Sequence, residues 1–61
     1  MYNFIATYEN MKTGKERIQT IEFFGYGFFG TEKECYVYAM QIAYDKKRKD
    51  ECLSNLEFVC C

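Results

Sequence analysis

Apolar and polar residues alternate along residues 2–9, which is the period of a β-strand. One side of this predicted strand carries Tyr2, Phe4, Ala6 and Tyr8. Residues 15–24 form a second strand-like run, rich in β-branched and aromatic residues. The segment between them, from Asn10 to Gly14, predicts a hairpin turn in which Gly14 supplies a positive φ. The chain is therefore predicted to begin with a β-hairpin.

The register of this hairpin follows from the turn. If Met11 faces Lys15, Glu9 lies opposite Arg17. The same register also pairs Tyr8 with Ile18, Ile5 with Ile21 and Tyr2 with Phe24. A slip of one residue would exchange the two faces of the sheet, so the pattern leaves open which face the helix covers.

The hydrophobic spacing becomes helical after residue 30. Thr31-Glu32-Lys33-Glu34 matches a capping box, which predicts that a helix begins there. Small residues recur along this helix and would allow it to approach a sheet closely; they are Cys35, Ala39 and Ala43. The basic run Lys46, Lys47, Arg48 and Lys49 closes the helix, where positive charge suits the helix dipole. After a connection over residues 50–52, residues 53–61 contain a last strand.

The predicted fold is thus a small α+β single domain over residues 1–61, with the element order β-β-α-β. A helical crossover places the third strand antiparallel to the first, beside which it docks. This gives a mainly antiparallel three-stranded sheet in the order 2-1-3, with one helix packed on one face.

In the predicted register both faces of the sheet carry apolar side chains. Tyr2, Phe4, Tyr8, Ile18 and Phe24 lie on one face, and Ile5, Ile21 and Phe23 lie on the other. One helix covers only one face. The second face would be covered by a copy of the same chain or by another macromolecule, or it would stay exposed.

Composition excludes most catalytic chemistry. The chain has no histidine, tryptophan or proline, and Ser54 is its only serine, so Ser-His and Cys-His pairs and histidine zinc sites are absent from it. Carboxylate pairs such as Asp50 and Glu51 are predicted to be solvated surface charges. The sequence predicts a protein that is not an enzyme and that needs no cofactor.

Two further motifs have simple structural interpretations. Residues 25–30 match G-x-G-x-x-G, but the chain is too short for a dinucleotide-binding fold, and a loop whose Phe28 and Phe29 close the core is the simpler prediction. Cys35, Cys52, Cys60 and Cys61 lack the C-x-x-C spacing of zinc sites. We expect four reduced thiols, with Cys35 in the core.

Charge and hydropathy bear on the location of the protein. The formal net charge is -1, and no apolar stretch approaches the roughly 20 residues that span a bilayer. The first nine residues lack the basic and apolar segments of a signal peptide. The sequence therefore predicts a cytoplasmic protein without a membrane contact.

The favoured function is that of a non-enzymatic protein-binding module that acts by occupying a surface of a larger protein or as a small homodimer. It would bind through Tyr38, Gln41 and Tyr44 of the helix, or through Tyr2, Phe4 and Tyr8 of the sheet. The alternative is a single-stranded nucleic-acid-binding protein, in which Lys46, Lys47, Arg48 and Lys49 contact the polyanion and the sheet aromatics stack on bases.

In size and composition the chain resembles the compact accessory proteins that phages and other mobile elements encode. Residues with AT-rich codons, such as Phe, Tyr, Ile, Asn and Lys, far outnumber Gly, Ala, Arg and Pro. The resemblance implies an accessory or inhibitor protein that occupies a surface of a larger host or defence protein, as anti-CRISPR inhibitors of bacterial immunity do.

Overall fold

The computed structural model describes residues 1–24 and 32–60, with the backbone alone described at Glu32. The elements are β1 (Tyr2–Asn10), β2 (Glu16–Phe23), α1 (Glu32–Lys46) and β3 (Glu51–Cys60). This order confirms the predicted β-β-α-β arrangement. The glycine-rich segment 25–30, Thr31 of the capping box and Cys61 lie outside the described residues.

The three strands form one sheet in the order β2-β1-β3, as predicted. β1 lies in the centre and pairs antiparallel with both neighbours. β3 therefore runs in the same direction as β2, which the crossover through α1 requires. Both β2 and β3 are edge strands.

Asn10 and Gly14 build the hairpin turn. Gly14 has a φ of 76°, as predicted, and its amide donates to the Asn10 carbonyl at 2.7 Å. The Asn10 side chain turns back on the loop, and its Oδ1 accepts the amides of Lys12 at 2.9 Å and Thr13 at 3.0 Å. Asparagine side chains commonly organise turns in this way, and glycine adopts a positive φ without steric cost.

The predicted hairpin register is wrong by one residue. Glu9 pairs with Glu16 rather than with Arg17, and Tyr8 pairs with Arg17 rather than with Ile18. The Asn10 amide donates to the Lys15 carbonyl at 2.8 Å, so the loop closes between these two residues and not between Met11 and Lys15. The extra loop residue is accommodated by the hydrogen bonds to the Asn10 side chain.

The corrected register changes the composition of both sheet faces. Ile21 pairs with Phe4, and Phe23 pairs with Tyr2, so these two β2 residues join the face that α1 covers. The prediction that Ile21 and Phe23 lie on the second face is wrong, as is the placement of Ile18 with Tyr8. The uncovered side, which we call the open face, carries Ile5 and Ile18 among mostly polar side chains.

The core lies between α1 and the covered face. Phe4, Ala6 and Tyr8 of β1 are fully buried there, together with Ile21. The helix contributes small residues to this contact: Cys35, Ala39 and Ala43 are all buried, as their spacing predicts. Their size lets the helix backbone approach the aromatic rings of the sheet.

β3 pairs less regularly with β1 than β2 does. Its register shifts between Asn3 and Phe4 and again between Thr7 and Tyr8, which marks two β-bulges or irregularities. At the second shift the Ser54 hydroxyl donates to the Thr7 carbonyl at 3.1 Å. Leu53, Leu56 and Phe58 still pack against the core from this strand.

Candidate functional site

The covered face holds the sheet aromatics that the sequence suggested for partner binding. Phe4 and Tyr8 are fully buried under α1, and Tyr2 is partly buried beside Phe23 and Phe58, with ring centroids 5.7 and 6.4 Å away. The prediction that Phe4 and Tyr8 form a binding face is therefore corrected, because the helix occupies that face. The single-strand hypothesis loses its stacking platform for the same reason.

The helix residues suggested for partner binding lie outside the core. Gln41 is exposed, and Tyr44 is 55% exposed. Tyr38 is 43% exposed, and its ring packs edge-on against Phe23 with 4.8 Å between centroids. Tyr38 thus also supports the core, and Tyr44 is the more available of the two rings.

Two further exposed apolar residues of α1 share one face with Gln41 and Tyr44. Val37 is 50% exposed and Met40 is 42% exposed. With Tyr44 they recur at the i, i+3 and i+7 spacing of a single helix face, opposite the small residues that contact the sheet. We call Val37, Met40, Gln41 and Tyr44 the outer stripe. Val37 and Met40 were not predicted as binding residues, although the helical spacing in the sequence contains this signal.

The basic run Lys46–Lys49 begins at the last residue of α1 and continues in a loop with several hydrogen bonds. The Lys47 ammonium donates to the Glu51 carbonyl at 2.9 Å, and the Arg48 amide donates to the Glu51 carboxylate at 3.0 Å. Lys46, Arg48 and Lys49 remain exposed. The hairpin tip meets this loop, since the Met11 amide donates to the Asp50 carbonyl at 2.8 Å.

This contact brings further cations to the same end of the molecule. Lys12 lies 3.7 Å from the Asp50 carboxylate, and Lys15 is exposed nearby in the chain. Asp45 and Asp50 lie in or beside the same segment, so positive and negative charges are mixed there. The arrangement places the predicted polyanion contact at a turn-rich end rather than on a sheet face.

An ion pair between Arg17 and Glu51 was not foreseen from the sequence. Arg17 Nε and Nη2 donate to the two Glu51 carboxylate oxygens at 2.9 and 2.7 Å. Arg17 Nη2 also donates to the Lys46 carbonyl, at the C-terminus of α1, at 3.2 Å. The guanidinium carbon lies 4.4 Å from the centroid of the Tyr8 ring, within cation–π distance.

Tyr8 completes this arrangement from the centre of the sheet. Its hydroxyl donates to the Ala43 carbonyl of α1, and its ring lies beneath the Arg17 guanidinium. Burial raises the pKa of this phenol. The cluster joins β1, β2, β3 and the end of the helix, and we assign it a structural role because its polar groups bond to one another.

Glu51 is 5% exposed, and its carboxylate stays ionised in the fold. Its hydrogen bond with Arg17 is the largest cause that lowers the pKa of Glu51, from 4.5 to about 2. The Arg48 amide, which also donates to it, acts in the same direction. The same hydrogen bond raises the pKa of Arg17.

Acid should therefore weaken the fold through Glu51. Between pH 4.5 and about 2 the unfolded chain binds a proton at this carboxyl that the folded chain does not. Stability then falls as the pH falls through this window, whereas above 4.5 both states are ionised and Glu51 contributes no pH dependence. The urea midpoint of unfolding, measured at a series of pH values across this window, gives the slope of stability against pH.

Glu51→Gln is the matched control, because it keeps the side-chain size and removes the titration. Its midpoint should fall less steeply with acid than that of the wild type. If the variant is too unstable to measure, the carboxyl carbon shift of Glu51 followed by NMR in the wild type should titrate near 2. Equal slopes in the two proteins, or a titration near 4.5, would contradict the assignment.

The three cysteines that the structure describes do not converge. Cys35 is buried in the core, as predicted, whereas Cys52 and Cys60 are exposed on β3, and all three are free thiols. Within residues 1–24 and 32–60, no group of three or more Cys, Asp or Glu side chains is placed to hold a metal ion.

The helix is too short and too polar to span a bilayer, and no other helix occurs in the described part of the chain. Comparison with protein-family models, with curated protein sequences and with solved structures finds no match for this chain. The surfaces themselves are thus the basis for any functional assignment.

Proposed function

We propose that this protein is a non-enzymatic protein-binding module that inserts the outer stripe of α1 into an apolar groove of a larger protein. One observation carries the proposal: α1 exposes Val37, Met40 and Tyr44 at about half of their surface on the side away from the sheet. A helix that served only to cover the sheet would carry polar residues there. Apolar anchors at this spacing are the features that helix-binding grooves recognise.

The size of the outer stripe favours a concave partner. Its three apolar side chains expose an area of the order of 300 Å², which lies in the range of functional patches on small proteins. A stable flat interface needs about 800 Å² from each partner. A groove that also encloses the sides of α1 buries more of the helix surface than contact with a second copy of α1 would.

Residue chemistry supports binding rather than catalysis. The chain has no histidine, and the hydroxyl of its one serine, Ser54, donates to a backbone carbonyl of β1. The ion pair between Arg17 and Glu51 is engaged within the fold. Occupation of a surface on a larger protein requires none of these groups.

Within this proposal the protein acts as an accessory or inhibitor of the type that mobile elements encode, including those that block host defence in the cytoplasm. AT-rich residue usage supports this part. Such a protein acts by covering a surface that another macromolecule needs.

Photo-crosslinking should identify the contact surface. With p-benzoylphenylalanine at position 44, irradiation in cells that contain the partner should give one discrete adduct, because Tyr44 would lie inside the groove. The same group at position 11, on the exposed hairpin tip, should give none. Gel mobility and mass spectrometry of the adduct measure both outcomes.

Competition separates this contact from adventitious capture. Excess unlabelled wild-type chain should suppress the adduct, and a Val37→Glu chain should compete at least about tenfold less well, because it places a charge in the apolar groove. Circular dichroism should show that Val37→Glu is folded. Equal competition by the folded variant, or equal adducts at positions 44 and 11, would refute the role of the outer stripe.

A further inference from the structure

Within residues 1–24 and 32–60, the outer edge of β2 presents backbone groups that pair with no other strand. The Asn10 amide donates to the Lys15 carbonyl, so Asn10 and Lys15 form a hydrogen-bonded pair. Along an antiparallel pair, the backbone amide and carbonyl of every second residue point toward the partner strand. The amides and carbonyls of Arg17, Gln19 and Ile21 therefore face β1. Those of Glu16, Ile18, Thr20 and Glu22 face away from the sheet.

A side-chain contact supports this orientation. Gln19 Nε2 donates to the Thr20 carbonyl at 3.2 Å, which places a side-chain donor on a strand carbonyl. A carbonyl that was hydrogen-bonded to β1 would point toward β1 instead of toward the free edge. The Thr20 carbonyl thus lies at the free edge and accepts the nearest donor.

The two edges of the sheet differ in regularity. β3 contains two register shifts relative to β1, and bulges of this kind hinder the addition of another strand. β2 pairs with β1 without a shift over its whole length, from Glu16 to Phe23. No lysine or proline, the usual protections of an edge, occurs within β2.

Ile18 lies in the middle of this regular edge. It is 69% exposed, more than any other large hydrophobic side chain within residues 1–24 and 32–60. An added strand would lie directly beside it and cover part of its surface. The edge therefore combines unpaired backbone groups with an apolar side chain.

We propose that β2 is a homodimer edge, at which a second copy of this chain adds its own β2 antiparallel across a two-fold axis at Thr20. The occupant is a second copy because the strand can pair with itself over nearly its whole length in this register without opposing like charges. Thr20 faces Thr20 of the copy, Gln19 faces Ile21, and Ile18 faces Glu22, so no like charges are opposed.

Neighbouring registers are less favourable. An axis at Gln19 places Glu16 opposite Glu22 in both halves, and like charges directly opposite each other are destabilising. An axis at Ile18 aligns only Glu16–Thr20, and an axis at Ile21 aligns only Gln19–Phe23, so each leaves the remainder of the strand unpaired. The axis at Thr20 pairs nearly the whole strand and replaces the Gln19 contact at the Thr20 carbonyl with a backbone hydrogen bond.

In such a dimer the two three-stranded sheets join into one continuous sheet, and both helices lie on the same side of it. The outer stripes of both copies stay uncovered, because the new contact lies at the edge of β2. The dimer is therefore independent of the proposed partner binding by α1.

The proposed dimer is tested by the molar mass in solution. This mass is measured by light scattering after size-exclusion chromatography, in reducing buffer and over a wide concentration range. The wild type should have twice the monomer mass. Thr20→Lys should be monomeric, because it places two ammonium groups opposite each other at the axis. Asn55→Lys adds the same charge to the other edge strand and should remain dimeric.

A monomeric wild type at all concentrations would overturn the proposal. So would a folded Thr20→Lys variant, verified by circular dichroism, that keeps the dimer mass. If Asn55→Lys dissociates as readily as Thr20→Lys, the contact does not lie at the β2 edge and the proposal also fails.

Cysteine crosslinking tests the position of the axis. In a chain with Cys52, Cys60 and Cys61 replaced by serine, Thr20→Cys should form a covalent dimer on mild oxidation, because the two positions are opposite each other. Ile18→Cys in the same background should not. Efficient linkage through position 18 alone would place the axis at Ile18 and refute the register proposed here.

Discussion

Replacement of Phe4 by alanine is expected to leave the chain mostly unfolded at 25 °C. The Phe4 ring is fully buried and contacts rings from all three other elements, with centroids 5.7 Å from Phe23, 5.1 Å from Tyr36 and 5.3 Å from Phe58. Loss of such a ring costs about 3–5 kcal/mol. A domain this small seldom has more than about 3–5 kcal/mol of stability, so little would remain.

Urea denaturation followed by circular dichroism measures this loss. Met11→Ala is the matched control, because it removes a large apolar side chain that is exposed at the hairpin tip. Its free energy of unfolding should change by no more than about 0.5 kcal/mol. A cooperative transition in Phe4→Ala with a loss below about 1 kcal/mol would show that the ring cluster does not hold the elements together.

Replacement of Ala39 by leucine should destabilise the fold by about 1–3 kcal/mol, through crowding rather than loss of contacts. Ala39 is fully buried at the contact between α1 and the sheet. Leucine and alanine have similar helix propensities, so the change tests the helix–sheet distance and not helix formation. Thermal or urea unfolding of the variant gives the difference.

Val37→Leu provides the comparison on the opposite side of the same helix. Val37 is half exposed, so a larger side chain meets solvent there and the stability should change by no more than about 0.5 kcal/mol. Equal effects at positions 37 and 39 would mean that the small residues of α1 do not set its distance from the sheet.

The two functional surfaces are separate from these structural positions. The outer stripe of α1 faces away from the buried small residues, and the edge of β2 faces away from β1. Variants at Val37, Tyr44 or Thr20 therefore alter exposed groups. Effects of these variants on binding or assembly can be distinguished from unfolding by circular dichroism.

Local sequence patterns predicted much of the fold correctly. Alternation over residues 2–9, the positive φ of Gly14 and the small residues of α1 all depend on neighbours within one element or one turn. The strand order followed from the helical crossover, which carries the chain back along the sheet so that the third strand docks antiparallel to the first. These features are local or topological, so they are encoded in short stretches of the chain.

The hairpin register was the main error, and a single side chain explains it. Asn10 accepts two loop amides and moves the closure of the turn by one residue. Because side chains of a strand alternate between faces, this shift moved Ile21 and Phe23 into the core and left Ile18 exposed. The exposed centre of the proposed dimer edge arises from that shift.

The candidate sites were predicted in part. The exposure of Gln41 and Tyr44 on α1 agrees with the helical spacing, and the same spacing would also have identified Val37 and Met40. The burial of Phe4 and Tyr8 was missed, because the pattern did not specify which face the helix covers. The Arg17–Glu51 pair joins residues 34 positions apart, a separation at which sequence patterns carry no information about contact.

The sequence by itself determined the order of the elements, the hairpin turn and the stripe of small residues along α1, because each depends on residues close together in the chain. Only the tertiary structure decided which sheet face is buried, which rings remain at the surface and where the free edge lies. Those properties depend on the pairing of distant segments, in which a shift of one residue exchanges inside for outside.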